Sequence, residues 1–422
     1  MKTRVYPSSM EGKVQAPPSK SYTQRALLAA LLTRGQSELI HPGSSDDETK
    51  MAGVIQRLGA EIDCRQDRWF IDGGMNTGQA TRELYTGESG LGTRLVTPVA
   101  AMLEQATTIS GSGSLNNRPM KAFEDIIRQA GGTCTTNNGL LPLVVKGPLR
   151  GGTIRLDGSA GSQFLSGLLF ALPLARNDSK IIAANLKSIP YVDMTLEVLK
   201  LFGIEIQHHR HETFEIPGRQ IYRPASVTIE GDWSNAAFLL TGGAIHGRVT
   251  LYGLDANSKQ ADRRILEALE MAGVSCHTGQ GSVSVSSPST IKSFHFDATH
   301  CPDLFPPLSA LAAYARGTSS IRGVHRLEHK ESNRARALTG GLKNIGIQAS
   351  LDSKDRLIIQ GSTPQGGTID SFNDHRIAMA AAMLALKAHA PIDILQSQAV
   401  KKSFPSFFET LQQLHVQTEE TP

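Results

Sequence analysis

Aromatic residues make up only 5% of the 422-residue chain, and the basic excess is slight: 43 Lys+Arg against 39 Asp+Glu, a formal net charge of +4. A cation-lined groove with stacking rings, the mark of a dedicated nucleic-acid binder, is therefore not advertised. Cysteine is scarce as well. The four thiols, Cys64, Cys134, Cys276 and Cys301, include no Cys-x-x-Cys pair, which excludes a disulfide framework and a zinc ribbon. Long apolar runs are also missing. The longest, Ile377 to Leu386, has ten residues, where about 18 or more are needed to span a bilayer. The opening segment lacks the apolar core of a signal peptide, so a soluble cytoplasmic protein is expected, with no membrane or nucleic-acid partner. At roughly 100–200 residues per domain, two or three domains are expected.

What is present is periodicity. A helix-like run ending in Gly, followed by a β-prone stretch, recurs at Gly59, Gly131, Gly203, Gly273 and Gly346, and a sixth copy carries His415 in place of Gly. Successive spacings are 72, 72, 70, 73 and 69 residues. Glycine just past a helix supplies the left-handed stop position. A second series interleaves with the first: Ala/Leu-rich segments begin near Ser21, Leu91, Ser162, Ser234, Asp303 and Asp374. These are apolar nearly all round, as helices buried on most faces are. Alternating stretches such as Ser282–Ser286 and Arg356–Gln360 read as strands.

The expectation is an α/β chain of six repeats of about 70 residues, three per lobe. The sixth repeat runs out of chain, and residues 1–19 are expected to complete it. The first lobe is then 20–230, and the second is 1–19 plus 231–422.

Polar residues open the buried helices, where unsatisfied N–H groups and the helix dipole favour anions. Lys20-Ser21 with Arg25, Gly90 with Arg94, Ser162-Gln163, Asp303 and Asp374-His375-Arg376 stand there. Asp46-Asp47, Asn117-Arg118, Tyr191, Gln260, Lys330-Glu331 with Arg334, and Lys402 open the other series. Each Lys or Arg alone could be an ordinary solvated residue. Recurring in repeat phase, they suggest a pocket for a molecule with several negative charges, gripped bidentately by Arg and as a point charge by Lys.

Pro18-Ser19-Lys20-Ser21 with Arg25, Asn117-Arg118-Pro119, Ser162-Gln163, Pro302-Asp303, Lys330 to Arg334, Asn373 to Arg376 and Lys401 to Pro405 together resemble the 5-enolpyruvylshikimate-3-phosphate synthase family, over essentially the whole chain. The resemblance implies two inside-out α/β lobes, each of three βαβαββ units, with the site between them. It implies transfer of the enolpyruvyl group of phosphoenolpyruvate to the 5-hydroxyl of shikimate 3-phosphate, with release of phosphate and no metal or organic cofactor. These two small molecules are then the partners of a monomeric enzyme.

Carried over by residue, Ser21 and Arg25 hold the shikimate carboxylate. Ser162, Ser188 and Lys330 surround its phosphate or hydroxyls, with Gln163, Tyr191 and Asp303 nearby. Phosphoenolpyruvate takes Lys20, Gly90, Arg118, Gln163, Arg334, Arg376 and Lys402. The catalytic residues are Asp303 as base towards the 5-hydroxyl and Glu331 as proton donor to the methylene, with Lys20 sharing that traffic.

Four positions depart from the family pattern. Glu88 and Leu91 replace the usual Asn and Thr around Gly90, Gly161 stands for a first Ser, and Arg326 for an Asn. Two alternatives follow: an anion-binding member that has lost the reaction, and the enolpyruvyl transferase of UDP-N-acetylglucosamine. The second uses a loop cysteine, and residues 111–119 contain none. The cluster His208-His209-Arg210-His211 has no cysteine or acid at ligand spacing, so a solvated hairpin is expected there. Cys64, Cys134 and Cys276 are expected to be small buried thiols, and Cys301 to be packed.

Overall fold

The computed structural model describes residues 1–76 and 82–421. These divide into two compact units: Pro18–Ile229, and Met1–Pro17 with Glu230–Pro422. Among the described residues each unit contains three four-stranded sheets.

One repeat shows the construction. Strand Gly152–Asp157 leads through helix Gln163–Ala171 to strand Ser179–Ala184, which it pairs in parallel. Helix Pro190–Leu201 then leads to the hairpin Gln207–His209 and Thr213–Ile216. The sheet order places Thr213–Ile216 beside Ser179–Ala184, with Gln207–His209 at the edge. A parallel pair needs a crossover, and the buried helix supplies it.

The crossover helices are covered on nearly every side. All thirteen residues of Trp233–Ile245, all nine of Phe305–Ala313 and all eleven of His375–Ala385 are buried. A surface helix would show one apolar stripe; these have no solvent face to keep polar. The second helix of each repeat keeps an exposed side, as in Asp46–Leu58 and Ala122–Gln129.

The repeat-ending glycines take the conformation that a left-handed stop requires: φ is 122° at Gly59, 93° at Gly131, 78° at Gly203, 79° at Gly273 and 83° at Gly346. His415 takes it too, at φ 65°. The sixth repeat thus keeps the geometry with a residue that pays steric strain for it.

The chain ends do more than complete one repeat. Lys2–Val5 lies between Ile392–Leu395 and Thr418–Thr421 in the last sheet, antiparallel to both. Met10–Gln15 belongs to a different sheet, parallel to Gly247–Tyr252. The expectation that residues 1–19 only complete the sixth repeat is corrected: they also supply the first strand of the fourth. In the other unit, Ser226–Thr228 pairs in parallel with Gly35–Ile40 and so supplies the first repeat's missing strand.

Candidate active site

In the unit Pro18–Ile229, Lys20 is the first residue of helix Lys20–Leu31, behind the capping hydroxyl of Ser19. Its Nζ donates to Asp47 Oδ2 at 2.8 Å, with both side chains largely buried. Arg25, one turn on, is 1% exposed. Its Nε donates to Thr195 Oγ1 at 2.9 Å, and its terminal nitrogens donate to the carbonyls of Ser21 at 2.8 Å and Tyr191 at 3.3 Å. Burial pulls its guanidinium down to about 10, which leaves it charged at neutral pH. Arg25 therefore binds two segments of this unit together, a structural role that accompanies its expected ligand role.

Gly90 opens helix Gly90–Ala100. A Cβ added at Gly90 would stand 2.6 Å from one terminal nitrogen of Arg118 and 3.1 Å from one of Arg94. Arg94 donates to Gln163 Oε1 at 2.8 Å, and Arg118 to Ser114 Oγ at 3.2 Å. Gly90, Arg118, Gln163 and Arg94 thus form one group. Ser162 is the buried residue before helix Gln163–Ala171, and its hydroxyl makes no capping bond. Ser188 is buried with φ 57°, and its carbonyl accepts from the Tyr191 amide at 3.1 Å.

In the second series of polar starts, Asp46-Asp47 and Tyr191 stand in the first turns of helices Asp46–Leu58 and Pro190–Leu201 as expected, while the other four are displaced from the helices they were expected to open. Arg118 follows a short turn, Gly113–Asn117, ahead of helix Ala122–Gln129. Gln260 precedes the turn Ala261–Arg264, and Lys402 ends the turn Ser397–Lys402. Lys330 and Glu331 come before the Asn333 cap of helix Arg334–Asn344. In each case a tight turn precedes the regular helix, and sequence periodicity does not separate the two.

In the unit Met1–Pro17 with Glu230–Pro422, the site is a charge network centred on Arg334, whose side chain is 1% exposed. Arg334 donates to Asp374 Oδ2 at 2.8 Å, Asp303 Oδ1 at 2.7 Å and Glu331 Oε2 at 2.5 Å. Asp303 also receives Lys330 Nζ at 3.2 Å and lies 3.3 Å from a terminal nitrogen of Arg376. Burial alone would raise the Asp303 carboxyl. Arg376, Lys330 and Arg334 together outweigh it and hold the group well below the usual carboxylate range. Lys330 is lowered, chiefly by burial, against the pull of Asp303. Lys402 donates to the Asn373 carbonyl at 2.6 Å. Within this unit Asp303, Glu331, Lys330, Arg334 and Arg376 are brought together, with Lys402 tied to the loop before Asp374.

Several residues beyond those expected belong here. Asp374 caps helix His375–Ala385 and serves Arg334 as well. Its visible signal was only that of a helix start. Asp262 is fully buried, hydrogen-bonded to Ser234, and pushed upward by burial and then by Asp303. Nothing in its local sequence marks it, because its importance comes from a partner 41 positions away. Asp47 and Arg94 stood at helix starts without a role.

One of the departures acquires a physical reason, and two others have identifiable neighbours. Gly161 has φ 131°, where a serine would be strained. The carboxyl of Glu88 lies over Gly113, in the turn before Arg118. Arg326 donates to the Thr299 carbonyl at 3.1 Å, and its charge feels Asp303. Two expectations are corrected. Cys64 is exposed and Cys134 and Cys276 are half-buried, because they sit on strands whose one face is open; Cys301 is buried as expected. The histidine cluster does have an acid beside it: Asp193, from the preceding helix, contacts His211. Among the described residues no helix is long and apolar enough to cross a membrane.

Six small mixed sheets with buried crossover helices define the enolpyruvyl transferase class of fold. The solved EPSP synthase of Acinetobacter baumannii superposes with a TM-score of 0.83 at 25% identity, covering 99% of this chain and all of that one. The enolpyruvyl transferase NikO of Streptomyces tendae superposes at 0.80 with 17% identity over 100% of this chain and 98% of that one, a likeness of fold. The family model for EPSP synthase (3-phosphoshikimate 1-carboxyvinyltransferase) matches residues 5–411. Proteins named 3-phosphoshikimate 1-carboxyvinyltransferase in Clostridium kluyveri and Aeropyrum pernix are 38% and 37% identical, covering 97% and 98% of this chain and 96% of each of theirs. The chain belongs to the EPSP synthase family, and it is a transferase.

Proposed function

We propose that this protein transfers the enolpyruvyl group of phosphoenolpyruvate to the 5-hydroxyl of shikimate 3-phosphate, as a cytoplasmic monomer in aromatic amino acid biosynthesis. The observation that carries the reading is Asp303 held among Arg334, Arg376 and Lys330, with Glu331 on the same arginine. One base, one acid and a group of cations are what an addition–elimination through a charged adduct requires.

In this reading Asp303 accepts the 5-hydroxyl proton as the oxygen bonds to C2 of phosphoenolpyruvate, while Glu331 gives a proton to the methylene carbon. The adduct keeps its phosphate and carboxylate charges opposite Arg334, Arg376 and Lys402, with Lys20 and Arg118 assigned to the same substrate. Loss of a methyl proton to Glu331 and departure of phosphate, which takes up the proton from Asp303, restore both groups. Ser21, Arg25, Ser162, Gln163, Ser188, Tyr191 and Lys330 are assigned to shikimate 3-phosphate.

The charge network adds a condition. An Asp303 that neutralises three cations is a weak base. A substrate anion that draws Lys330, Arg334 or Arg376 towards itself raises the basicity of Asp303 as it binds. Glu331 likewise leaves its bond with Arg334 before acting as donor. Substrate binding and activation of the proton-transfer groups are thus one electrostatic exchange.

The test is phosphate release from purified protein. Release should require both substrates, and Asp303→Asn should lower kcat by at least about a hundredfold. Binding of both ligands without turnover would instead support the non-catalytic alternative.

A further inference from the structure

The hairpin Gln207–His209 and Thr213–Ile216 is closed by a tight turn in which the Glu212 amide donates to the His209 carbonyl at 3.0 Å. Both central residues, Arg210 at φ 52° and His211 at φ 58°, are left-handed. That is the type I′ geometry that matches the twist of paired strands. The cost of placing two non-glycine residues there is of order 1–2 kcal/mol each. The turn carries His211 back over the strand, so that the His208 and His211 rings lie 4.3 Å apart. Helix Pro190–Leu201 packs in the same repeat, and from its first turn Asp193 Oδ1 reaches His211 Nε2 at 2.6 Å.

We propose that Asp193, His208 and His211 form a binding site for a divalent transition-metal ion such as Zn²⁺. One ligand atom from each of these three side chains lies within 4.8 Å of the others. Two imidazoles and one carboxylate suit zinc, nickel, cobalt or copper; calcium and magnesium want oxygen ligands throughout. Ligand atoms about 2 Å from a tetrahedral ion stand roughly 3.3 Å apart. The Asp193–His211 pair, now 2.6 Å apart, therefore opens by roughly 0.7 Å to admit the metal, and His208 closes towards it. His211 and Asp193 are partly shielded, with side chains 21% and 34% exposed. His208 stands at the solvent edge, where its imidazole can swing without disturbing the core. Burial and the neighbouring His211 favour its neutral form, the one that ligates. His209, adjacent on the strand, points to the opposite sheet face and takes no part. Three protein ligands leave a fourth position for water, which implies micromolar rather than structural-site affinity.

The metal would clip helix Pro190–Leu201 to its hairpin. The helix also carries Tyr191 and Thr195, the partners of Arg25, so the clip stiffens that packing.

The test uses the full chain without an affinity tag, stripped with chelator and titrated with Zn²⁺ against a chromophoric chelator, and with Co²⁺ by visible absorption. One ion per chain should bind with Kd near or below about 10 µM, and Co²⁺ should give the intense bands of a four-coordinate site. His208→Ala and His211→Ala should each weaken binding at least tenfold, whereas His209→Ala should not. Zn²⁺ should raise the Tm of the unsubstituted chain and leave that of His211→Ala unmoved. Absence of saturable binding, or binding equal in His208→Ala, His211→Ala and the parent chain, would overturn the proposal. None of these readouts depends on enolpyruvyl transfer, so failure of the metal site leaves the catalytic reading standing, and the reverse.

Discussion

At the scale of single residues, the cations of the candidate site were legible because Lys and Arg at helix starts defy the dipole and so ask for a reason. Their carboxylate partners were not. Asp374, Asp47 and Asp262 become significant only through contacts with residues far along the chain, and no local pattern encodes such pairings. Gly161 shows the reverse case: a departure in sequence that the backbone conformation explains. Gly90 permits a sharper test, because the space over its Cα is occupied by the guanidinium ends of Arg118 and Arg94. Both are flexible, so Gly90→Ala should fold normally while pushing Arg118 from its place. If Arg118 serves phosphoenolpyruvate, KM for that substrate should rise roughly tenfold, about 1.4 kcal/mol, with kcat and Tm little changed. Steady-state phosphate release decides it; an unaltered KM would separate Arg118 from the substrate.

Among the elements, the helices and their glycine stops were readable from period and spacing, while the short turns before them were not, since a turn of three to six residues leaves no periodic signal. The stop at His415 is the exception that the repeat itself exposes. Its φ of 65° is positive like those of the five glycines, with a Cβ to accommodate. His415→Gly should therefore stabilise the chain by about 0.5–1 kcal/mol, part of the relief being returned as unfolded-state entropy. The shift should appear in the denaturant midpoint without a change of slope.

Helix Asp46–Leu58 offers a pH-dependent counterpart. Glu48 is buried, its Oε2 accepts from the Ser45 amide at 2.8 Å, and its Oε1 has no hydrogen-bond partner among the described residues. Burial pushes this carboxyl up to about 7, against the opposing hydrogen bonds of Ser45 and the charge of Lys20. The protonated group favours folding fully below its ordinary value of 4.5, and that contribution is lost as pH rises through about 7. Glu48→Gln cannot ionise and still offers an acceptor to Ser45. Its stability advantage over the parent chain should therefore grow between pH 5 and pH 8, to at most about 3 kcal/mol. A difference in Tm that stays flat over that range would show that Glu48 ionises within the fold as readily as in the unfolded chain, and that burial does not raise its carboxyl.

For the whole molecule, a sixfold repeat was visible because two independent series kept phase, yet the sequence did not show how the chain ends are shared. Strand pairing across hundreds of residues leaves no local trace, and residues 1–19 look like one repeat end when they are two strands in separate sheets. This sharing makes the two units unequal as pieces of chain. Residues 18–229 contain every strand of their three sheets, including Ser226–Thr228, which closes the first. Residues 230–422 lack Met10–Gln15 and also Lys2–Val5, whose removal leaves Ile392–Leu395 and Thr418–Thr421 without their common partner. A sheet deprived of an inner strand exposes unpaired backbone on both sides of the gap. The fragment 18–229 should therefore unfold cooperatively on its own. The fragment 230–422 should show a broad, weakly cooperative transition that sharpens when a peptide of residues 1–17 is added. Circular dichroism melts of both fragments are the measurement. Cooperative unfolding of 230–422 without the peptide would mean that its core, rather than the two borrowed strands, holds that unit together.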